Sequence, residues 1–282
     1  MSTVVVGANG QLGRALRHQF PDAVALSRAE LDVSDAAAVR DHDWSGVDVV
    51  INAAAYTKVD AAEEPENLAA VRGANVEAVA ALAEAAQRHG FTLVHISSEY
   101  VFDGLHEGAI PEDRQPSPLS VYGQSKADGD REAARAAKHY LVRTTWVVGD
   151  GANFVRTMVT LADRGVQPSV VDDQVGRPTF TTDLAAGIAH LLSTGAPFGT
   201  YNLTCEGEPA SWAEVAAAVY KARGRSAGDV TPVSTAEYFA DKPTAAPRPL
   251  NSVLDLSKIE ATGFRPRDWR VALGEYLAEM PV

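Results

Sequence analysis

The chain has 282 residues, 46% hydrophobic and 22% charged, a balance that excludes a disordered or fibrous protein and lets a chain of this size bury about three-quarters of its unfolded surface. Its 37 acidic against 25 basic residues leave a formal charge of -12, which repels nucleic acid and anionic lipid surfaces and favours a small ligand. The single cysteine, Cys205, allows neither an intrachain disulfide nor a cysteine metal cluster and fits a reducing cytoplasm.

The start, Met1-Ser2-Thr3-Val4-Val5-Val6, lacks the basic and long apolar stretches of a secretory signal, so a cytoplasmic location is expected. No segment approaches the roughly 18 apolar residues of a membrane span. Short β-branched runs predict strands over Thr3 to Val6, Ala23 to Leu26, Val49 to Asn52, Thr92 to Ser97 and Tyr140 to Arg143. Helical patterns cover Asn67 to His89 and Val121 to Lys138, and a first helix is expected to end near Phe20. Such alternation implies an α/β fold with a doubly wound parallel sheet. Later helices are expected over Asn153 to Arg164, Thr182 to Leu192 and Ser211 to Arg223, the last opened by a capping box at Ser211-Trp212-Ala213-Glu214. Asp241 to Pro249, with three prolines, reads as an ordered surface loop. The expected division is a large domain over 1–150, with segments near 166–204 returning to it, and a smaller discontinuous domain over 151–282.

Gly7-Ala8-Asn9-Gly10-Gln11-Leu12-Gly13 joins the first strand to the first helix. Glycines at such a turn permit tight backbone curvature and let N–H groups approach a pyrophosphate at the positive end of the helix. The first gap is one residue longer than in the usual dinucleotide fingerprint. The ribose-reading position, about 20 residues beyond the first glycine, is Ser27, followed by Arg28. A guanidinium with no carboxylate beside it predicts NADPH over NADH, with NADH as the second cofactor. The alternative for Arg28 is a solvated loop charge. Asp32 is placed either to accept from the adenine amino group or to cap a helix.

Tyr122 and Lys126 lie four apart at the head of a predicted helix and therefore on one face. The cation is expected to lower the phenol pKa from about 10 and make Tyr122 a general acid. Lys126 is also expected to hold the nicotinamide ribose. Ser98, expected just beyond the fourth strand, offers a hydroxyl for a developing oxyanion, with Ser97 as its competitor. Asn75, a poor helix residue by propensity, either orients a water or backbone group or is simply exposed. The seven histidines have no ligand spacing, and no catalytic metal is expected.

These motifs resemble those of the extended short-chain dehydrogenases/reductases, most closely the dTDP-4-dehydrorhamnose reductase family. The resemblance runs in family order through Gly7 to Gly13, Asn52 to Asp60, Tyr100 to Gly104, Tyr122 to Lys126, Arg143 to Trp146, Asp173 to Thr179 and Arg248 to Ser252. It implies a Rossmann-type domain with a smaller α/β substrate-binding domain, and NADPH-dependent reduction of the 4-keto group of a dTDP-linked 6-deoxyhexose. It assigns Ser98, Tyr122 and Lys126 to catalysis. Gly10, Gln11, Leu12, Asp32, Val33, Ala54, Ala55 and Tyr56 match cofactor-contact positions. Glu99 and Trp146 match sugar contacts, and Arg248 a position near the diphosphate.

The chain departs from the family pattern in two places. Ser97-Ser98-Glu99-Tyr100 replaces its Ser-Thr-Asp-Tyr run, and Ala15 replaces a Glu that some members use in magnesium-dependent dimerisation. The dTDP-sugar is the expected partner, with a homodimer left open. Other readings are a 4-ketoreductase of another deoxysugar, an epimerase of the superfamily, and a non-catalytic dinucleotide-binding regulatory subunit.

Overall fold

Val4 and Val6 pack on one side of the central sheet while Val5 packs on the other, because successive strand residues point to opposite faces and both faces are covered. In chain order the computed structural model, which describes residues 1–280, runs β1 (Thr3–Val6), α1 (Gln11–Gln19), β2 (Val24–Leu26), α2 (Ala36–Asp41), β3 (Val49–Asn52), α3 (Leu68–Arg72), α4 (Ala78–His89), β4 (Thr92–Ser98), α5 (Val121–Ala133) and β5 (His139–Thr144). It continues through β6 (Val147–Val148), α6 (Phe154–Asp163), β7 (Ser169–Val171), β8 (Val175–Gly176), β9 (Thr179–Phe180), α7 (Thr181–Thr194) and β10 (Gly199–Asn202). The last elements are β11 (Ala210–Ser211), α8 (Trp212–Ala222), β12 (Thr231–Val233), α9 (Thr235–Phe239), α10 (Ser257–Ala261) and α11 (Trp269–Ala278).

Six strands form one parallel sheet in the order β10-β5-β4-β3-β1-β2. The chain therefore leaves β1 first to one side and then to the other, and the carboxyl ends of β1 and β3 flank the switch point where open parallel sheets bind ligands. Helices α1 and α7 cover one face through Leu12, Leu16, Leu184, Ile188 and Leu191. The other face packs against α4 and the turn around Trp44. A separate core gathers α6, α8 and α11 around Val155, Val215, Val219, Tyr220 and Trp269. Of residues 166–204, α7 and β10 rejoin the large sheet, whereas β7 and β8 pair outside it with β12 and β11. No helix among the described residues is long and apolar enough to cross a membrane.

The Ser211–Glu214 capping box forms with both reciprocal bonds, at 2.7 and 3.1 Å. Four expectations need correction. The helix expected over 67–89 is interrupted by a π-turn at Gly73–Glu77, an insertion that turns Asn75 inward. The helix expected to reach Lys138 stops at Ala133, where the chain turns so that Ala136 can join the core beneath the sheet. Ser98 is not beyond β4 but ends it, paired with Thr144. On the exposed edge, β2 starts at Val24 rather than Ala23.

Candidate active site

The glycine turn lies at the switch point. Gly7 has φ +75°, and a Cβ there would stand 2.6 Å from the Ala54 nitrogen, so only glycine lets the turn after β1 close against the end of β3. Gly10 is the N-cap of α1 and supplies no side-chain cap, leaving the first-turn N–H groups of Gln11, Leu12 and Gly13 free for an anion. Leu12 and Gly13 are buried. The Gln11 side chain turns away, accepting from Gly149 N–H at 3.1 Å and donating to the Ala152 carbonyl at 3.2 Å; only its backbone can serve the turn.

A cleft of about 620 Å³ opens beside this turn, lined by Gly7, Gly10, Arg28, Asp32, Val33, Ala54, Ala55 and Tyr56. Its floor of small residues, its open helix terminus and its cation at the far end suit a dinucleotide. Arg28 Nε donates to Asp32 at 2.9 Å, and Asp32 also accepts from Ser34 Oγ at 2.6 Å. These bonds hold the Asp32 carboxyl below its usual range, Ser34 contributing most. The helix cap is Asp35, which accepts from Ala37 and Ala38 N–H; Asp32 instead shapes the cleft wall. One premise fails here: the Arg28 guanidinium does have a carboxylate beside it, Asp32 at 2.9 Å, and Ser27 has another. Glu30 folds back one turn to accept the Ser27 N–H at 2.7 Å, so the charge pattern at the ribose end is mixed and Arg28 alone favours a 2′-phosphate.

Asn75 is buried and joins the cleft to α5. Its Oδ1 accepts from Tyr56 N–H at 2.8 Å, and its Nδ2 donates to the Tyr56 carbonyl at 3.1 Å and to Ser125 Oγ at 2.9 Å. Gly129 permits the approach, because a Cβ there would collide with the Asn75 carbonyl oxygen. Of the two roles open to Asn75, the structure shows the orientation of a backbone group.

Ser98, Tyr122 and Lys126 are all buried, on β4 and the facing first turns of α5. Ser120 caps α5 by accepting from Gly123 N–H at 3.1 Å, which fixes the helix start and hence the direction of Tyr122. The Tyr122 ring meets Tyr100 edge to face at 5.4 Å. Its phenol pKa lies above the ordinary value, not below as the spacing to Lys126 predicts: burial dominates, Glu99 and Tyr100 add to it, and Ser98 offsets part. Lys126 is itself desolvated to a pKa of about 8, Asp130 partly opposing the fall. Its Nζ donates to the Ile96 carbonyl at 2.7 Å, which leaves two of three protons for a ligand.

Beneath the three residues sits a buried pair that sequence inspection missed. Asp130 accepts from Arg143 Nε at 3.1 Å, and Arg143 also donates to the Glu112 carbonyl at 2.9 Å. The spacing of Asp130 four beyond Lys126 was a usable signal. Ser97 stands beside this pair, its hydroxyl lowering the Asp130 pKa against the upward push of burial. Ser98 is the serine next to Tyr122.

Trp146 stacks on Trp212 at 3.7 Å with 16° between the rings. It is the one non-glycine among the described residues with positive φ, +45°, a strained conformation that costs about 1–3 kcal/mol and recurs at ligand sites. In the sequence Trp212 stands only within a helix-capping motif, which gives no sign of this partner. Arg248 reaches back across the molecule to Asp60. Glu99, 2% exposed, accepts from Ser98 Oγ at 2.6 Å.

The family described as the RmlD substrate binding domain matches residues 1–282. The dTDP-4-dehydrorhamnose reductase of Aggregatibacter actinomycetemcomitans is 40% identical over 290 residues, covering 96% of each chain. The crystal structure of a dTDP-4-dehydrorhamnose reductase from Clostridium acetobutylicum superposes with a TM-score of 0.91 at 36% identity, covering 99% of both chains. That of the Bacillus anthracis dTDP-4-dehydrorhamnose reductase in complex with NADP gives 0.90 at 33% identity, covering 99% of this chain and 100% of the other. With matches that span the whole chain and a superposable fold, the protein belongs to the dTDP-4-dehydrorhamnose reductase family.

Proposed function

We propose that the protein uses NADPH to reduce the 4-keto group of a dTDP-linked 4-keto-6-deoxyhexose, converting dTDP-4-dehydrorhamnose to dTDP-L-rhamnose. The observation that carries this reading is the burial of Ser98, Tyr122 and Lys126 together at the carboxyl edge of the sheet, next to the glycine-turn cleft. Residues of the cleft, with the first-turn N–H groups of α1, would hold the dinucleotide; Arg28 would meet its 2′-phosphate and Lys126 its nicotinamide ribose. NADPH bound there supplies the hydride for the sugar carbonyl.

The chain's own task is proton supply and positioning. Because burial raises the Tyr122 pKa, the phenol stays protonated near neutrality and can give its proton to the carbonyl oxygen as negative charge develops. Ser98 donates to that same oxygen. The stacked Trp146 and Trp212 offer a rigid aromatic wall for the sugar, and Arg248 a cation for the diphosphate. The three segments 1–150, α7 and β10 serve the cofactor, and the remainder of 151–282 the sugar nucleotide.

The test follows NADPH absorbance with freshly generated dTDP-4-dehydro-β-L-rhamnose and identifies the product by NMR. Sustained oxidation yielding dTDP-L-rhamnose is expected. Sugar isomerisation without net NADPH consumption would indicate an epimerase, and NADPH binding without turnover of any keto-sugar a regulatory subunit. Glu99, with one methylene more than the family's Asp, favours a second reading in which another dTDP-linked 4-keto-deoxysugar is the better substrate; comparing kcat/KM across such sugars separates the two.

A further inference from the structure

Ser98 has a single hydroxyl proton and two lone pairs. One lone pair accepts from Tyr100 N–H at 3.3 Å, and the proton points to Glu99 Oε2 at 2.6 Å. In this arrangement nothing remains to donate to a substrate. A carboxylate in that place also faces the position where the oxyanion would form, an unfavourable pairing in a water-poor site. Both conflicts vanish if Glu99 is a neutral acid. Its O–H then donates to the second lone pair of Ser98, and the Ser98 proton is released to turn toward the ligand.

We propose, on the basis of the reductase reading above, that Glu99 is a positioning residue: its neutral carboxylic acid aims the Ser98 hydroxyl proton at the substrate oxygen, and its ionised form withdraws it. No proton is transferred from the pair in turnover; only the direction of two hydrogen bonds changes.

The surroundings support a neutral acid. Glu99 is 2% exposed, and no cation among the described residues is paired with it. From α5 it faces Tyr122, and from its own turn Tyr100, both uncharged phenols with raised pKa values. Arg248 and Asp60 act on Tyr100 and are already joined to each other. Burial therefore pushes the Glu99 pKa up to about 7, against the downward pull of Ser98 and the backbone of Glu99 and Tyr100.

The test has two independent readouts. The first is the pH profile of kcat for NADPH-dependent reduction, in the native chain and in Glu99→Gln, whose amide can donate to Ser98 at every pH. Between about pH 6 and about pH 8 the native kcat is expected to fall about twentyfold, about tenfold from an acid titrating near neutrality and about twofold from Lys126. The variant is expected to fall only about twofold over that range, its remaining limb coming from Lys126. An equal decline in both proteins would overturn the proposal. The second needs no substrate: infrared spectroscopy of protein carrying 13C-labelled glutamate should show a carboxylic-acid carbonyl band that titrates near neutrality and is missing in Glu99→Gln. A Glu99 already ionised at about pH 6 would refute the assignment whatever the kinetics. If no keto-sugar is reduced, the reductase reading fails, while the infrared band still decides the state of Glu99.

Discussion

Asp60, in the segment after β3, holds Arg248 of the proline-containing loop through two hydrogen bonds of 2.8 and 2.9 Å from one guanidinium nitrogen. The same Arg248 donates to the Ala246 carbonyl at 2.6 Å and lies over the Phe239 ring at 4.6 Å. Residues 188 apart in sequence thereby stand the loop against the rim of the site. A cation so held can meet a diphosphate with its remaining N–H groups, and Arg248→Ala should raise KM for the sugar nucleotide about 10- to 100-fold, the worth of a charge-assisted hydrogen bond of about 1.5–3 kcal/mol. Steady-state kinetics with the sugar nucleotide varied would check this; an unchanged KM removes Arg248 from the substrate site.

Replacing Tyr122 by Phe keeps the ring packing against Tyr100 and deletes the phenolic hydroxyl. The variant should fold and bind NADPH with native affinity while kcat falls by about 10²–10⁴-fold, the usual contribution of a general acid. Fluorescence titration with NADPH beside turnover measurements would separate binding from chemistry, and near-native kcat would rule out the acid role.

Arg28 is the only cation among the described residues that lines the cleft, but it is already engaged by Asp32. Arg28→Ala should therefore raise KM for NADPH by about tenfold, at the low end of a charge-assisted contact, and leave KM for NADH unchanged. Parallel titration of the two cofactors provides the check.

The Asp130–Arg143 pair is buried on both sides, with side chains 5% and 6% exposed. Removing one partner strands the other charge, and Asp130→Ala should lower stability by about 3–5 kcal/mol. Urea unfolding would reveal it as a lower midpoint at unchanged slope. A loss under about 1 kcal/mol would mean that water reaches Arg143.

Glu99 also links stability to pH. Its pKa rises from 4.5 to about 7 on folding, so in that interval the native state holds a proton that the unfolded chain has released. The associated stability is complete below the unfolded value and is lost as pH climbs through about 7. Glu99→Gln does not titrate and should gain on the native protein by about 3 kcal/mol across the interval. Denaturant melts of both proteins at several pH values would test the sign; a constant difference would contradict it.

The parallel sheet and the glycine turn are written in local pattern. Runs such as Thr3 to Val6 and Val49 to Asn52 need only their own β-branched residues to declare a buried strand, and Tyr122 and Lys126 need only helical spacing to share a face. What the local pattern leaves open is every quantity set by surroundings. The same Tyr122 that spacing alone would make more acidic is made less so by the walls around it, and the acid next to Ser98 is a buried group rather than a solvated one. Arg143 finds Asp130, Arg248 finds Asp60 and Trp146 finds Trp212 only after folding. Periodicity is carried by the covalent chain and can be read along it, whereas desolvation and long-range pairing depend on which distant residues fill the space around a group, and that is decided only when the chain has closed on itself.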